Sequence, residues 1–337
     1  RKLASEMTRQ MDEGRQIMLF LNRRGYSTFV SCRECGYVAK CPTCGLSLTY
    51  HKKGRSGTGK LVCHYCGYEE MAPTACPECG STYVRYFGSG TEKIEETVRQ
   101  MFPDRTVSRV DLDSVKQKGE LNKKLKAFGK GQTDILIGTQ LIAKGLDFKN
   151  VGLVGIVSAD VSLNIPDFRS PERAFQLITQ ASGRAGRGDE KGHVIIQTYS
   201  PEHYAVVMAA NQDYASFYEA ENKFRKYMMY PPYSDIFQIM FTSASPKAAE
   251  AGAKKWHDRL ETLLGPEDRQ NLFPPQEAYM SKIRETYRYS LIIKCPKGSR
   301  QKYSGMICKI REEETANAKK KKEDYIAVVD VNPYSFT

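Results

Sequence analysis

Apolar positions along the chain gather into short, almost uninterrupted runs separated by amphipathic stretches. Ile17-Met18-Leu19-Phe20-Leu21, Ile135-Leu136-Ile137 and residues 151–157 are of strand length and lack polar alternation. Residues 3–13 read as an amphipathic helix stopped at Gly14, and strand 17–21 follows. The turn Asn22-Arg23-Arg24-Gly25 and a second apolar stretch, Thr28-Phe29-Val30, come next. After Tyr83 the periods alternate: helix 92–101 with Thr91 as cap, strand 106–110, helix 118–128, strands 134–138 and 152–157, helix 171–182, strand 193–198. Fully apolar strands alternating with helices predict an α/β domain whose parallel sheet is buried on both faces. A helical stretch over 213–228 ends at Tyr230-Pro231-Pro232-Tyr233, a boundary signal. Beyond it come strand 236–242, helix 247–264, strands 279–283 and 287–294, helix 299–314 and strand 326–331. That order, β-α-β-β-α-β, predicts a small α+β sandwich.

Between residues 31 and 80 this periodicity is interrupted by cysteine. Eight of the ten cysteines form four C-x-x-C pairs: Cys32/Cys35, Cys41/Cys44, Cys63/Cys66 and Cys76/Cys79, each followed by glycine. Two cysteines at this spacing can place both sulfurs on one ion, and four thiolates close a tetrahedral zinc site, so eight predict two structural zinc ions. Disulfides are the plain alternative, but the regular pairs and the absence of a signal-peptide pattern argue against them. Sequential, nested and cross-braced groupings all satisfy the count. The short 36–40 spacer and the hairpin-like segments 47–51 and 60–62 favour nesting: Cys32/Cys35/Cys76/Cys79 around Cys41/Cys44/Cys63/Cys66. His51 and His64 are then surplus. Tyr37, Tyr50, Tyr65 and Tyr68 read as small-domain core, with base stacking as the functional alternative. The ends of the segment, near Val30 and Val84, are expected to run straight into sheet strands.

Length (337 residues) accommodates two domains and an insert. Expected boundaries are 1–30 with 81–230 for the α/β domain, 31–80 for the zinc insert and 231–337 for the C-terminal α+β domain. No run approaches the roughly 20 apolar residues of a membrane span. Net charge is +12, which favours a polyanionic partner. Unpaired Cys295 and Cys308 beside zinc thiolates point to a reducing cytoplasm. The run Lys319–Lys322 is a solvated loop or a phosphate contact. Gly54-Arg55-Ser56-Gly57-Thr58-Gly59-Lys60 imitates a phosphate loop, but Leu61 stands where Ser or Thr should hold Mg²⁺, and neither a buried strand nor a helix flanks it.

Better candidates lie at strand ends of the α/β domain, where open sheets gather ligands. Gly138-Thr139-Gln140 follows a buried strand, and Lys144-Gly145-Leu146-Asp147 comes shortly after. Gln180-Ala181-Ser182-Gly183-Arg184-Ala185-Gly186-Arg187 closes a helix. Two arginines three apart, spaced by small residues, can fork onto phosphate oxygens. A helix end stabilised by arginine is the bland reading.

These residues carry a resemblance. Residues 20–26, 138–148 and 180–187 resemble helicase motifs IV, V and VI, in particular those of the PriA (primosomal protein N′) family of replication-restart helicases in superfamily 2. The four cysteine pairs, the Asp167-Phe168-Arg169-Ser170-Pro171-Glu172-Arg173 segment and the Pro231-Pro232 boundary resemble it too. The resemblance implies a RecA-like helicase lobe 2 with an inserted two-zinc module, followed by the α+β domain. It implies the C-terminal half of an ATP-dependent 3′→5′ DNA helicase that recognises abandoned forks and initiates primosome assembly. Arg187 would be the arginine finger, with Arg184 beside it. Gln180, Gly145 and Asp147 would meet the nucleotide, and Asn22, Arg24, Thr139 and Lys144 the DNA. Leu146 departs from the family's histidine, so no role carries over. ATP and Mg²⁺ would bind only with the first lobe, whose G-K-[ST] and Asp-Glu-x-His motifs are missing from this sequence. Implied partners are branched and single-stranded DNA, single-stranded DNA-binding protein and primosome components. Two rivals are a non-catalytic zinc-ribbon nucleic-acid adaptor and an RNA helicase. Arg184 and Arg187 tell against the first, the eight-cysteine insert against the second.

Overall fold

The computed structural model describes residues 2–21, 29–51, 59–86, 91–111, 114–115, 119–139, 142, 148–185, 192–318 and 324–336. They form two compact units, one of residues 1–37, 75–165 and 169–220, the other of residues 38–74, 166–168 and 221–337. These units cut across the expected 31–80 segment. Its outer cysteine pairs fall in the first unit and its inner pairs in the second.

The first unit is built on a five-stranded sheet of β1 (Gln16–Leu21), β7 (Val107–Val110), β8 (Ile135–Gly138), β9 (Val151–Val157) and β10 (His193–Ile196). Their order is β10-β9-β1-β8-β7, and every pairing is parallel. β1 lies at the centre because all six of its residues can be buried. Ile17, Met18, Leu19 and Phe20 are 0–1% exposed, each contributing about 1.5–3 kcal/mol of hydrophobic burial. Met18, Phe20, Leu136 and Val154 meet α3 (Glu120–Gly129) and α5 (Ser170–Ser182) on one face. Ile17, Leu19, Ile135 and Leu153 meet α1 (Lys2–Asp12) and α2 (Thr91–Met101) on the other. This is the doubly covered parallel sheet expected of the apolar runs. Short α4 (Ala159–Leu163) and α6 (Tyr204–Ala210) were not foreseen; α7 (Tyr214–Tyr227) was.

One expectation needs correction. β2 (Val30–Cys32) and β6 (Val84–Tyr86) do not join the parallel sheet but pair with each other as an antiparallel ribbon. Cys32 lies opposite Val84 in that ribbon, so bringing the outer cysteine pairs together aligns these short strands side by side.

In the second unit, β11 (Ser234–Ser243), β12 (Gln276–Ile283), β13 (Thr286–Pro296) and β14 (Ile326–Val331) form an antiparallel sheet in the order β12-β13-β11-β14. With α8 (Pro246–Leu263) and α9 (Arg300–Ala318) this is the predicted β-α-β-β-α-β arrangement, in ferredoxin-like strand order. Phe237, Ile239, Phe241, Leu291, Ile293 and Cys295 pack with Trp256, Leu260, Tyr303 and Ile307 of the helices. The alternate residues Ile236, Gln238, Ser290, Ile292 and Lys294 are turned to the other face by the period of two. Within the unit, the inner zinc segment lies against that face. Its β3 (Thr49–His51), β4 (Lys60–Val62) and β5 (Glu69–Met71) form a small antiparallel sheet. Residues His64 and Tyr65 line a small cavity together with Gln238, Ser290 and Ile292.

Candidate metal centres and motif loops

All four cysteine pairs fold into the same knuckle. The glycine after each second cysteine donates its N–H to the first cysteine's carbonyl: Gly36 to Cys32 at 3.2 Å, Gly45 to Cys41 at 2.8 Å, Gly67 to Cys63 and Gly80 to Cys76 at 2.9 Å. The first cysteine's N–H in turn reaches the residue after the glycine: Tyr37, Leu46, Tyr68 and Ser81, at 2.7–2.9 Å. Closing both bonds requires the glycine at positive φ, here 67–78°, where a Cβ costs roughly 1–2 kcal/mol. Glycine recurs for this reason.

The knuckles assemble in nested fashion. Sulfurs of Cys32, Cys35, Cys76 and Cys79 lie within 4.8 Å of one another, and so do those of Cys41, Cys44, Cys63 and Cys66. Individual Sγ separations are 3.6 Å for Cys32–Cys79 and Cys35–Cys76, and 3.4 Å for Cys41–Cys66. A tetrahedron with zinc–sulfur bonds near 2.3 Å has edges of about 3.8 Å, whereas a disulfide needs about 2.05 Å. The donor sets therefore fit zinc and exclude these pairings as disulfides. Crowding splits the thiols of each set: the backbone N–H groups of Cys35 and Glu34 pull Cys32 down to about 7, and Cys44 with Cys63 does the same for Cys41, while Cys35, Cys44, Cys63 and Cys79 are pushed up. Zinc bound by four thiolates would serve structure, with no open position for water.

The two centres differ in their surroundings. In the outer one Cys32 and Cys76 are buried while Cys35 and Cys79 are exposed. It is seated on the first unit: the Arg33 guanidinium stacks 4.9 Å over the Tyr199 ring, and a Cβ at Gly36 would come within 2.1 Å of the Tyr199 carbonyl oxygen. Tyr199 is fixed by Asp160, whose carboxylate accepts from the Tyr199 N–H and the Thr198 hydroxyl at 3.0–3.1 Å. Burial raises the Asp160 pKa. Asp160 went unnoticed in the sequence, although a carboxylate three residues past a fully apolar strand is a visible signal.

The inner centre is more enclosed, with Cys41, Cys44 and Cys63 no more than 2% exposed and Cys66 half-buried. Its surplus histidines are not ligands. His64 donates from Nδ1 to the Glu277 carbonyl at 2.9 Å, so its neutral Nε2 accepts from His51 Nε2–H at 3.0 Å. Burial holds His64 down at about 4, in keeping with that neutral form. Tyr65 packs on Phe336 with ring centroids 4.6 Å apart and contributes to the core. The phosphate-loop imitation dissolves here, because Lys60 opens a β-strand and pairs with Glu69 at 2.5 Å.

Of the predicted nucleotide and DNA residues, Thr139, Gln180 and Arg184 are described, and all three lie in the first unit. Thr139 follows the C-terminal end of β8, half-buried, its carbonyl accepting from Ile142 at 3.1 Å. Gln180 is on the exposed side of α5, whose Ala174, Phe175, Ile178 and Ala181 are buried. Arg184, half-buried, stands in the turn that follows, its N–H on Ala181 O at 3.0 Å. Asn22, Arg24, Lys144, Gly145, Asp147 and Arg187 lie outside the described residues, as does Lys319–Lys322. Among the described residues no helix is long and apolar enough to cross a membrane.

Comparison with known proteins matches three family models to separate parts of the chain. Residues 82–189 match the helicase conserved C-terminal domain, residues 41–70 the PriA DNA helicase Cys-rich region domain, and residues 226–334 the primosomal protein N C-terminal domain. The replication restart protein PriA of Bacillus subtilis is 43% identical over 333 residues, 99% of this chain and 40% of that protein. That of Synechocystis is 43% identical over 281 residues, 83% of this chain and 34% of the relative. That of Treponema pallidum is 40% identical over 297 residues, 88% and 44% respectively. The chain thus spans about two fifths of the length of these relatives. With three domain matches in one chain and identity running through nearly all of it, the chain belongs to the PriA family of replication restart proteins, of which it carries the helicase C-terminal, Cys-rich and primosomal C-terminal domains.

Proposed function

We propose that the chain supplies the second RecA-like lobe, the zinc-binding module and the C-terminal domain of an ATP-dependent DNA helicase working 3′→5′ at stalled or abandoned replication forks in the cytoplasm. In domain terms, residues 1–30 with 81–230 act as the lobe, 31–80 as the zinc insert and 231–337 as the C-terminal domain. The observation that carries this reading is a helicase C-terminal domain match in the same chain as eight cysteines gathered into two tetrahedral sets. The relatives' name, replication restart protein, and the primosomal protein N domain match support a role in replication restart. Net charge of +12 suits a branched or single-stranded DNA partner; single-stranded DNA-binding protein and primosome components are the proposed protein partners.

In this reading ATP and Mg²⁺ are held mainly by the other lobe. Arg187 stabilises the charge developing on the transferred phosphoryl group, and Arg184 supports it. Gln180, Gly145 and Asp147 face the nucleotide, while Asn22, Arg24, Thr139 and Lys144 grip the strand. The purified chain should bind forked DNA weakly and hydrolyse ATP negligibly. In a full-length protein, Arg187→Ala should keep nucleotide binding and lose roughly 10³–10⁵ in turnover. Unchanged turnover there overturns the finger assignment, and brisk hydrolysis by the chain alone overturns the division of labour.

A further inference from the structure

Lys294 is an anomaly within its own strand. It sits on β13, between β11 and β12 in the sheet, and is 7% exposed. Burying an ammonium costs several kcal/mol unless another charge answers it. Its contacts are one carbonyl and two rings: Nζ donates to Met228 O at 2.9 Å, lies 4.0 Å from the Tyr230 centroid and 5.7 Å from that of Phe273. None of these carries a formal charge.

The missing charge lies at the hydroxyl end of Tyr230. That ring is fully buried, and its hydroxyl donates to the Cys44 carbonyl at 2.8 Å. One end of the phenol therefore touches an inner zinc knuckle and its face receives the lysine. Four thiolates on a divalent ion leave a net charge of minus two, in a centre three of whose four cysteines are buried. Burial lowers the Lys294 pKa, and the thiols of Cys44, Cys66, Cys63 and Cys41 oppose that shift.

We propose that Lys294 is the counter-ion of the inner zinc–thiolate centre, held over the face of the Tyr230 ring whose hydroxyl meets the Cys44 knuckle. The C-terminal sheet thereby belongs to the zinc site electrostatically as well as by packing. Lys294 is a positioning and charge-balancing residue, not a ligand.

The test uses the purified zinc-loaded chain and its Lys294→Met, Lys294→Arg and Lys302→Met variants. Zinc transfer to a chromogenic chelator is followed for both ions, the outer centre serving as internal reference. Urea unfolding of the chelated protein is followed by the fluorescence of Trp256, the only tryptophan. Lys294→Met should release the inner ion about tenfold faster or more, because a nearby opposite charge is gone. The zinc-free form should be as stable as the parent, or more so, since methionine buries without a charge. Lys294→Arg and Lys302→Met should release both ions at the parent rate. The proposal is overturned if Lys294→Met releases zinc at the parent rate, or if its zinc-free form is destabilised in step with zinc loss. Should Lys294→Met fail to fold, Lys294→Arg decides: release as slow as the parent's supports the proposal, and tenfold faster release overturns it.

Discussion

Phe168→Ala should destabilise the C-terminal unit, although residue 168 lies in sequence between two helices of the helicase lobe. Phe168 is 1% exposed and belongs with residues 166–168 to the second unit. Its ring stacks on Tyr230 at 4.6 Å and an interplanar angle of 9°, and the Arg225 guanidinium covers it at 5.1 Å. Truncating a fully buried phenylalanine costs about 3–5 kcal/mol in transfer and cavity terms. Part of that here is the aromatic pair, roughly 0.5–1.5 kcal/mol. With a urea m-value near 2 kcal/mol/M, the midpoint should fall by roughly 1.5–2.5 M. Trp256 is the sole tryptophan and lies in the core of the second unit, so its fluorescence reports that unit. The control is Phe128→Ala, an equally buried ring of the first unit packed edge-on against Phe148 at 4.9 Å. It should leave the Trp256 midpoint within a few tenths of a molar. If Phe168→Ala moves that midpoint no more than Phe128→Ala does, residues 166–168 are not part of the second unit's core and the reasoning fails.

Metal removal should separate the two centres. Cys63→Ser should hold one zinc ion instead of two and lower the Trp256 midpoint, whereas Cys76→Ser should hold one and leave it alone; atomic absorption together with urea melts reads both. Gly36→Ala should lose the outer ion, because positive φ and the 2.1 Å approach to the Tyr199 oxygen both oppose a Cβ. Gly80→Ala, with φ of +73° and open space around it, should retain zinc at a cost of about 1–2 kcal/mol. Equal zinc loss in both variants would show that the seat on Tyr199 is immaterial. Lys302 holds the Asp268 carboxyl below its ordinary 3.8 through a 2.6 Å bond. The native state then binds its proton more weakly than the unfolded chain, so this contribution is present above about pH 4 and is lost as pH falls through the depressed value. Asp268→Asn should flatten that acid limb of the stability curve and leave the slope above pH 6 unchanged.

The parallel sheet was legible because β1, β8 and β9 are buried on both faces, and such strands must be written as continuous apolar runs. Nesting of the cysteines was legible from chain length, since residues 36–40 are too few for adjacent knuckles to share an ion. The surfaces against which the module would pack were not legible. Arg33, Tyr199 and Asp160 are far apart in sequence and meet only when β9 and β10 are adjacent. Lys294 was visible as a lysine within Leu291-Ile292-Ile293-Lys294-Cys295, but the charge it answers lies more than 200 residues upstream. Asn22 and Arg24 rest on the motif resemblance, while Lys144, Gly145, Asp147 and Arg187 were also legible as a strand-end loop and a paired-arginine phosphate fork.

A segment of about 50 residues with eight cysteines is too small to bury a core of its own. Zinc can replace the missing interior at each knuckle, yet it cannot orient one knuckle relative to anything else. Orientation has to come from borrowed surface. The inner centre takes it from the polar face of the C-terminal sheet, through the His64 bond to Glu277, the Tyr230 hydroxyl on Cys44 and the ammonium of Lys294. The outer centre takes it from the end of the parallel sheet, through Tyr199 and Asp160. Zinc loss at either centre should then disturb only the unit that lends the surface, which is the pattern the cysteine variants read out. A module folding on its own would instead lose both ions together and leave both units intact.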